Sequence, residues 1–303
     1  MTPAVGTVLG RDGAVYRVAT GAGEVRAVLR GKTKRDTPHI VVGDRVQLDA
    51  EIIGDLRGIA AVEPRTTILE RRTPEGRGNR PVAANIDQVL VVAATTRPDP
   101  VPQLIDRLLV LAEVNGIPAA VVINKIDLLA APGTTVGDRF RAAGYPVYET
   151  CALTGAGIDV LTRVLAGRTS VVTGPSGVGK SSLLNTIQPG LRLRTGEISE
   201  KIRRGRQTTV SAVMIPLDAG GFVVDTPGFS EVGLWGVEPR ELASCFPELR
   251  APAEQCRFAD CLHRTEPGCG VRAAVERGDV ASDRLESYLM LLEELKSAPA
   301  DWE

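Results

Sequence analysis

The sequence predicts a chain in three parts: a small β-barrel, an α/β domain on a mostly parallel sheet, and a short helical unit rich in cysteine. Three observations predict it. The chain has 303 residues, too long for one ordinary domain, so two or three are expected. Residues up to about Arg65 form short apolar runs broken by Gly-rich turns, whereas from Ile86 to roughly Asp225 apolar strands alternate with helical patterns. Beyond Gly228 the pattern turns helical, with Leu285, Tyr288, Leu289, Leu292 and Leu295 spaced along one helix face, as core packing requires.

Composition narrows the class. Hydrophobic residues at 43% and charged residues at 24% suit a globular protein and exclude wholesale disorder. The longest apolar runs, such as Val89–Ala94 and Ala119–Ile123, are far too short to cross a bilayer. No charged-then-apolar leader opens the chain, so a cytoplasmic protein with no membrane partner is expected. Formal net charge is −1, so any grip on nucleic acid must come from local patches.

The barrel is expected over residues 1–68, with strands at Val5–Leu9, Ala14–Ala19, Val25–Leu29 and Arg45–Leu48. Arg71–Pro81 has almost no apolar content, so residues 69–82 read as a linker. The α/β domain spans 83–233 and the helical unit 234–303. Ligands of a parallel sheet sit at the carboxyl ends of its strands, and the sharpest motifs fall there.

One motif is Gly174-Pro175-Ser176-Gly177-Val178-Gly179-Lys180-Ser181, of the form G-x-x-x-x-G-K-[ST], with Ser182 following. It follows a predicted strand, Ser170–Thr173, and opens a predicted helix, the context the motif requires. Glycines at 174, 177 and 179 allow a turn whose N–H groups converge on phosphate oxygens, and the helix amino terminus adds partial positive charge. Lys180 is expected on the β- and γ-phosphates and the Ser181 hydroxyl on Mg²⁺. The motif specifies a nucleoside triphosphate and leaves the base open.

The base is addressed elsewhere. Asn124-Lys125-Ile126-Asp127 follows the strand Ala119–Ile123 and has the form N-K-x-D. Its carboxylate suits the ring N–H and exocyclic amine of guanine, a donor pair adenine lacks. Lys125 is expected across the base plane, with Asn124 tying this loop to the phosphate loop. Cys151-Ala152-Leu153, after the next strand, resembles the Ser-Ala-Lys loop whose Ala N–H faces guanine O6. Together these favour guanine over adenine, with a P-loop kinase or transport ATPase as the rival.

Two further segments complete a GTPase set. Asp225-Thr226-Pro227-Gly228 has the D-x-x-G form, placing Asp225 in the Mg²⁺ shell and the Gly228 N–H on the γ-phosphate. Upstream, Gly205-Arg206-Gln207-Thr208-Thr209 lies in a polar, Arg-rich stretch that suits a loop ordered by γ-phosphate and Mg²⁺. Either Thr208 or Thr209 supplies the metal-contacting hydroxyl, with Thr209 favoured.

The cysteines are an odd five, and three of them crowd beside a histidine. Cys256-x4-Cys261-x-His263-x5-Cys269 offers three thiolates and an imidazole, a closed donor set for one tetrahedral, structural Zn²⁺. A reduced core cluster or a redox pair are the other readings. Arg26, Arg30, Lys32, Lys34 and Arg35 form a basic run in the barrel segment, equally an ordinary solvated stretch or a nucleic-acid edge.

The order of these motifs is unusual. A conventional GTPase runs phosphate loop, switch threonine, D-x-x-G, N-K-x-D, then the Ala loop; here the last two come first. That rotation resembles one family, the circularly permuted, ribosome-small-subunit-dependent GTPases (RsgA, also YjeQ or YloQ). The likeness covers essentially the whole chain, including the phrase Thr195-Gly-Glu-Ile-Ser-Glu-Lys and the cysteine cluster. It implies a barrel of OB-fold type, a circularly permuted P-loop GTPase domain and a helical zinc-binding domain. It also implies GTP hydrolysis to GDP, binding to small-subunit rRNA late in assembly, and stimulation by that particle. A monomer is expected.

In catalysis the resemblance assigns Lys180, Thr209 and the residue at position 207. The family usually carries His there; this chain has Gln207, whose amide could orient a water but cannot titrate near neutral pH. Phe229 stands where many GTPases outside the family place a catalytic glutamine.

Overall fold

A computed structural model describes residues 4–29, 39–72, 79–129, 135–190, 212–225, 234 and 237–297. The first strands are β1 (Ala4–Asp12), β2 (Val15–Thr20), β3 (Gly23–Leu29), β4 (Arg45–Ile53) and β5 (Leu56–Val62). They close in the order β1-β2-β3-β5-β4, with β4 returning antiparallel to β1 and β3 parallel to β5. This is the five-stranded OB-type barrel. Alternation along each strand turns Val8, Tyr16, Val18, Ala27, Val46, Leu48 and Ile59 inward to a separate small core. The fifth strand, absent from the sequence reading, has little alternation: Gly58, Ala60 and Ala61 interrupt it.

The expected linker is partly structured. β6 (Ile68–Arg72) and β7 (Asn79–Ala84) pair antiparallel as a two-stranded sheet, and Leu69, Ala83 and Ala84 are buried. Its apolar residues lie at the two ends of the stretch, so the polar middle masked them; residues 73–78 lie outside the described part. A parallel bridge between Val42 and Ala83 joins this ribbon to the barrel. The carboxylate of Asp44, bonded to Arg65 at 2.7 and 2.9 Å and to the Val41 N–H at 2.8 Å, fixes the turn that makes the bridge.

The central domain holds β8 (Gln88–Ala94), α1 (Pro102–Val114), β9 (Ala119–Asn124), α2 (Val136–Ala142), β10 (Val147–Glu149), α3 (Ile158–Leu165), β11 (Thr169–Thr173), α4 (Lys180–Ile187), β12 (Val213–Pro216) and β13 (Phe222–Asp225). The sheet order is β10-β9-β8-β11-β13-β12, parallel except for the edge strand β12. Central strands covered on both faces read as unbroken apolar runs, as β8 does. Their period of two divides the core. Val89, Val91 and Ala93 pack with α1 and α2, while Leu90, Val92 and Ala94 pack with α3 and α4.

The carboxyl-terminal unit comprises α5 (Pro247–Ala253), α6 (Gly270–Arg277) and α7 (Ser282–Ser297). It lies on α1: Leu242, Phe246, Leu249, Tyr288, Leu291 and Leu292 share one core with Ile105, Leu108 and Leu109. The stripe expected on α7 is buried at Leu285, Tyr288 and Leu292, with Leu289 and Leu295 partly buried.

Candidate functional site

Because β8, β9, β10, β11 and β13 run parallel, the loops that follow them emerge on one edge of the sheet. Those loops carry N-K-x-D, the Cys-Ala-Leu loop, the phosphate loop and Asp225. The rotated chain order does not matter to this edge, since strand direction alone decides which side a loop leaves from.

The phosphate loop turns between β11 and α4 on Gly174, Gly177 and Gly179, all at positive φ. Gly174 and Gly179 are fixed by close approach as well. A Cβ at 174 would stand 2.0 Å from the Val92 carbonyl oxygen, and one at 179 would stand 2.4 Å from Asn124 Nδ2. Lys180 Nζ folds back over the loop and donates to the carbonyls of Gly174 (2.7 Å) and Pro175 (2.8 Å). Burial pulls the Lys180 ammonium below its usual range and pushes the Asp225 carboxyl above its own; each charge partly restores the other. A polyanion and a cation arriving together would satisfy both.

The N-K-x-D segment locks onto this loop. Asn124, buried, donates from Nδ2 to the Val178 carbonyl at 2.9 Å, and its Oδ1 accepts from the Ala152 N–H and the Thr150 hydroxyl, each at 3.3 Å. One side chain thereby joins three loops: its bond to Val178 is the expected tie to the phosphate loop, and its bonds to Thr150 and Ala152 add the Cys-Ala-Leu loop. Lys125, in the left-handed conformation at φ 64°, sends Nζ to the Gly177 carbonyl (2.8 Å) and to that of Arg97. Ile126 is half-buried against the core, while Asp127 and Leu153 are exposed at the rim. The Asp127 carboxylate has an internal partner, the buried Cys151 thiol, which donates to Oδ1 at 2.9 Å and accepts from the Thr154 N–H at 3.3 Å.

Pro175, Ser176, Val178, Ser181 and Ser182 lie in the same loop and helix start. Gln207, Thr208, Thr209 and Gly228 lie outside the described residues, as do Arg30, Lys32, Lys34 and Arg35. Arg26 is described and is bonded to Asp55. Sequence reasoning missed Thr95, whose hydroxyl donates to the Lys125 carbonyl at 2.7 Å, and Thr186, which reaches the Ala152 carbonyl at 3.2 Å. No motif marks either one; their positions follow only from how loops are stacked.

Cys256, Cys261, His263 and Cys269 converge with all ligand atoms within 4.8 Å of one another. His263 Nδ1 lies 3.5 Å from both Cys256 Sγ and Cys269 Sγ, which are 4.0 Å apart. A tetrahedral ion with bonds of about 2.0–2.3 Å spans edges of about 3.5–3.8 Å, so the residues fit a metal. Backbone N–H groups of Gly270 and Arg272 point at the sulfurs of Cys256 (3.3 Å) and Cys269 (3.5 Å), as suits thiolates. Burial lowers His263 toward the neutral imidazole a ligand must be, and pushes the Cys261 thiol up to about 12, so ionisation there requires a cation. The Glu266 carboxylate accepts from Leu262, Arg264 and Thr265 N–H at 3.0, 2.7 and 3.0 Å, clamping the loop that bears His263.

Comparisons with known proteins agree with this geometry. The family described as RsgA GTPase matches residues 62–235. The small ribosomal subunit biogenesis GTPase RsgA of Gemmatimonas aurantiaca is 49% identical over 303 residues, covering 97% of this chain and 98% of that one. Its namesake from Moorella thermoacetica is 44% identical, covering 96% and 97%. The crystal structure of YjeQ from Thermotoga maritima superposes with a TM-score of 0.79 at 36% identity, over 97% of this chain and 99% of that one. YloQ, described as a circularly permuted GTPase, gives 0.78 at 29%, over 98% and 96%. This chain belongs to the RsgA GTPase family.

Proposed function

We propose that this chain hydrolyses GTP and acts in biogenesis of the small ribosomal subunit, as a switch rather than a metabolic enzyme. The observation that carries the reading is the junction of base loop and phosphate loop. Asn124 and Lys125 are hydrogen-bonded to Val178 and Gly177, so one nucleotide can span Asp127 and Lys180. The names borne by the relatives supply the biological setting.

In this reading the loop N–H groups from Gly174 to Gly179 bind the phosphates, and Lys180 leaves its two carbonyls for the β- and γ-oxygens. Asp127 accepts from guanine, the Ala152 N–H faces O6, and Cys151 and Leu153 complete that loop. Mg²⁺, when bound, neutralises charge developing on the transferred phosphoryl group. Ser181, Asp225 and a threonine, Thr209 in preference to Thr208, are its assigned holders, and the Gly228 N–H meets the γ-phosphate. Gln207 is assigned to orient the attacking water through its amide.

The donor chemistry of Cys256, Cys261, His263 and Cys269, three thiolates and one imidazole in a closed shell, favours a structural Zn²⁺ over harder cations. The barrel, GTPase and carboxyl-terminal spans expected from sequence, the barrel as an rRNA-binding module, a cytoplasmic location and a monomeric state belong to the same proposal. Among the described residues no helix is long and apolar enough to cross a membrane.

Steady-state phosphate release from GTP, measured with and without purified small subunits, tests the function. A rate that rises when small subunits are added supports it. Negligible release with and without them would leave only a metal-bearing module that binds GTP, and equal, substantial release would remove the small subunit from the reading.

A further inference from the structure

The loop that leads into helix α1 is bonded to the base loop, and α1 itself lies against the metal-bearing unit along its length. At its amino-terminal side, the loop Thr95–Val101 is bonded to the N-K-x-D segment. The Thr95 N–H donates to the Asn124 carbonyl at 3.0 Å, its hydroxyl to the Lys125 carbonyl at 2.7 Å, and Lys125 Nζ bonds the Arg97 carbonyl. Arg97 and Lys125 both hold left-handed backbone, at φ 52° and 64°, a conformation that costs a non-glycine residue energy. The side chain expected to lie across the base thus grips the loop that leads into α1.

Along its body α1 presents Asp106, Arg107 and Glu113 to Arg284, Glu294 and Arg250 of the carboxyl-terminal unit. Buried Asp106 also takes Arg139 at 2.9 Å, Arg107 reaches Glu294 at 2.7 Å, and Arg250 reaches Glu113 at 2.6 Å. Signs alternate on both partners, so the pairing is complete in one register; the Asp106–Arg284 pair is buried, and the other two lie at the edge of the contact. From α7 the path ends at the metal loop: the Tyr288 hydroxyl donates to the Leu262 carbonyl at 3.1 Å, and its ring centroid lies 5.8 Å from that of His263.

We propose that α1 couples occupancy of the base loop to the position of the metal-bearing unit, so that GDP and GTP alike move it. The proposal rests on the guanine-nucleotide reading above. It differs from coupling through the γ-phosphate, to which GDP would be silent.

Hydrogen exchange on the full, metal-loaded chain tests it, comparing nucleotide-free, GDP-bound and GTP-analogue-bound protein. Exchange at Leu262–Gly270 and along α7 is expected to change about 5-fold or more on adding GDP, and by the same factor with the analogue. Arg107→Glu should abolish that response while shifting GDP affinity by no more than about 5-fold, the size of the coupling itself, and Arg107→Glu with Glu294→Arg should restore it. Glu294→Gln serves as the milder break if the reversal impairs folding. Protection of residues 174–181 by GDP with no change in α7 overturns the coupling, as does a full response in Arg107→Glu. No protection of 174–181 by either nucleotide overturns the guanine reading and the coupling with it.

Discussion

Replacing Asp127 by Asn should convert a guanine site into a xanthine site, and the structure gives the reason for the direction. The Cys151 thiol donates to Asp127 Oδ1 at 2.9 Å. In the variant that thiol holds the amide with its oxygen toward Sγ and its NH₂ toward the ligand. With that oxygen placed on the ring N–H, as the guanine reading has it, the NH₂ meets the 2-amino group of guanine, donor against donor. Losing one charge-assisted hydrogen bond costs about 1.5–3 kcal/mol and leaving donors unpaired about 1–3 more, roughly 10²–10⁴-fold in affinity together. Xanthine carries a carbonyl at that position and pairs with the NH₂. Displacement of a fluorescent GDP analogue from parent and by direct titration of the variant, using GTP and XTP, reads both affinities. Adding Cys151→Ala should release the amide to flip and narrow the XTP preference several-fold. A variant that binds GTP within about 3-fold of the parent would refute the placement of Asp127 on the base, since so small a change is under 1 kcal/mol.

Three other outcomes are expected. One Zn²⁺ per chain should be found by elemental analysis, and Cys269→Ser or a strong chelator should abolish it and melt helical signal from α5 to α7; a unit that stays folded without metal would contradict a structural ion. Arg284→Met, which strips buried Asp106 and Glu248 of a partner, should cost about 3–5 kcal/mol in urea unfolding, and a cost below about 1 kcal/mol would deny the network its role in register. Gly43→Ala places a Cβ 2.0 Å from the Ala84 carbonyl at φ +87°, adding at least about 1–2 kcal/mol of left-handed strain; lowered thermal stability with GTP binding retained is expected, and an unchanged Tm would mean the junction of barrel and ribbon yields freely.

Much of this is legible in the sequence alone, and for a physical reason. Motifs that bind phosphate or metal must place particular atoms close together, so they leave dense local signatures: Gly174 to Ser181 within one turn, Cys256 to Cys269 within one loop. The sheet was legible because β8 and β9 are buried on both faces and read as unbroken apolar runs. The N-K-x-D pattern predicts Asn124 as a tie to the phosphate loop, and its bond to the Val178 carbonyl is that tie.

What stayed hidden depends on long-range placement. The pairing of β6 with β7 escaped because Leu69 and Ala83 are isolated apolar residues beside a polar stretch. Asp106 and Arg284 are 178 residues apart, and a charge on an amphipathic helix reads as solvated until another helix covers it. The Cys-Ala-Leu pattern points to the Ala152 N–H, whereas the Cys151 thiol supplies the inner partner of Asp127. The resemblance carried the setting, since neither the basic run nor the low aromatic content pointed to RNA on its own.

The most direct trial of the whole account is a structure of the full chain with GDP and Mg²⁺. A single GDP whose base meets Asp127 and whose β-phosphate meets Lys180 is the predicted result. GDP held at the phosphate loop with its base turned away from residues 124–127, or bound elsewhere on the molecule, would contradict it.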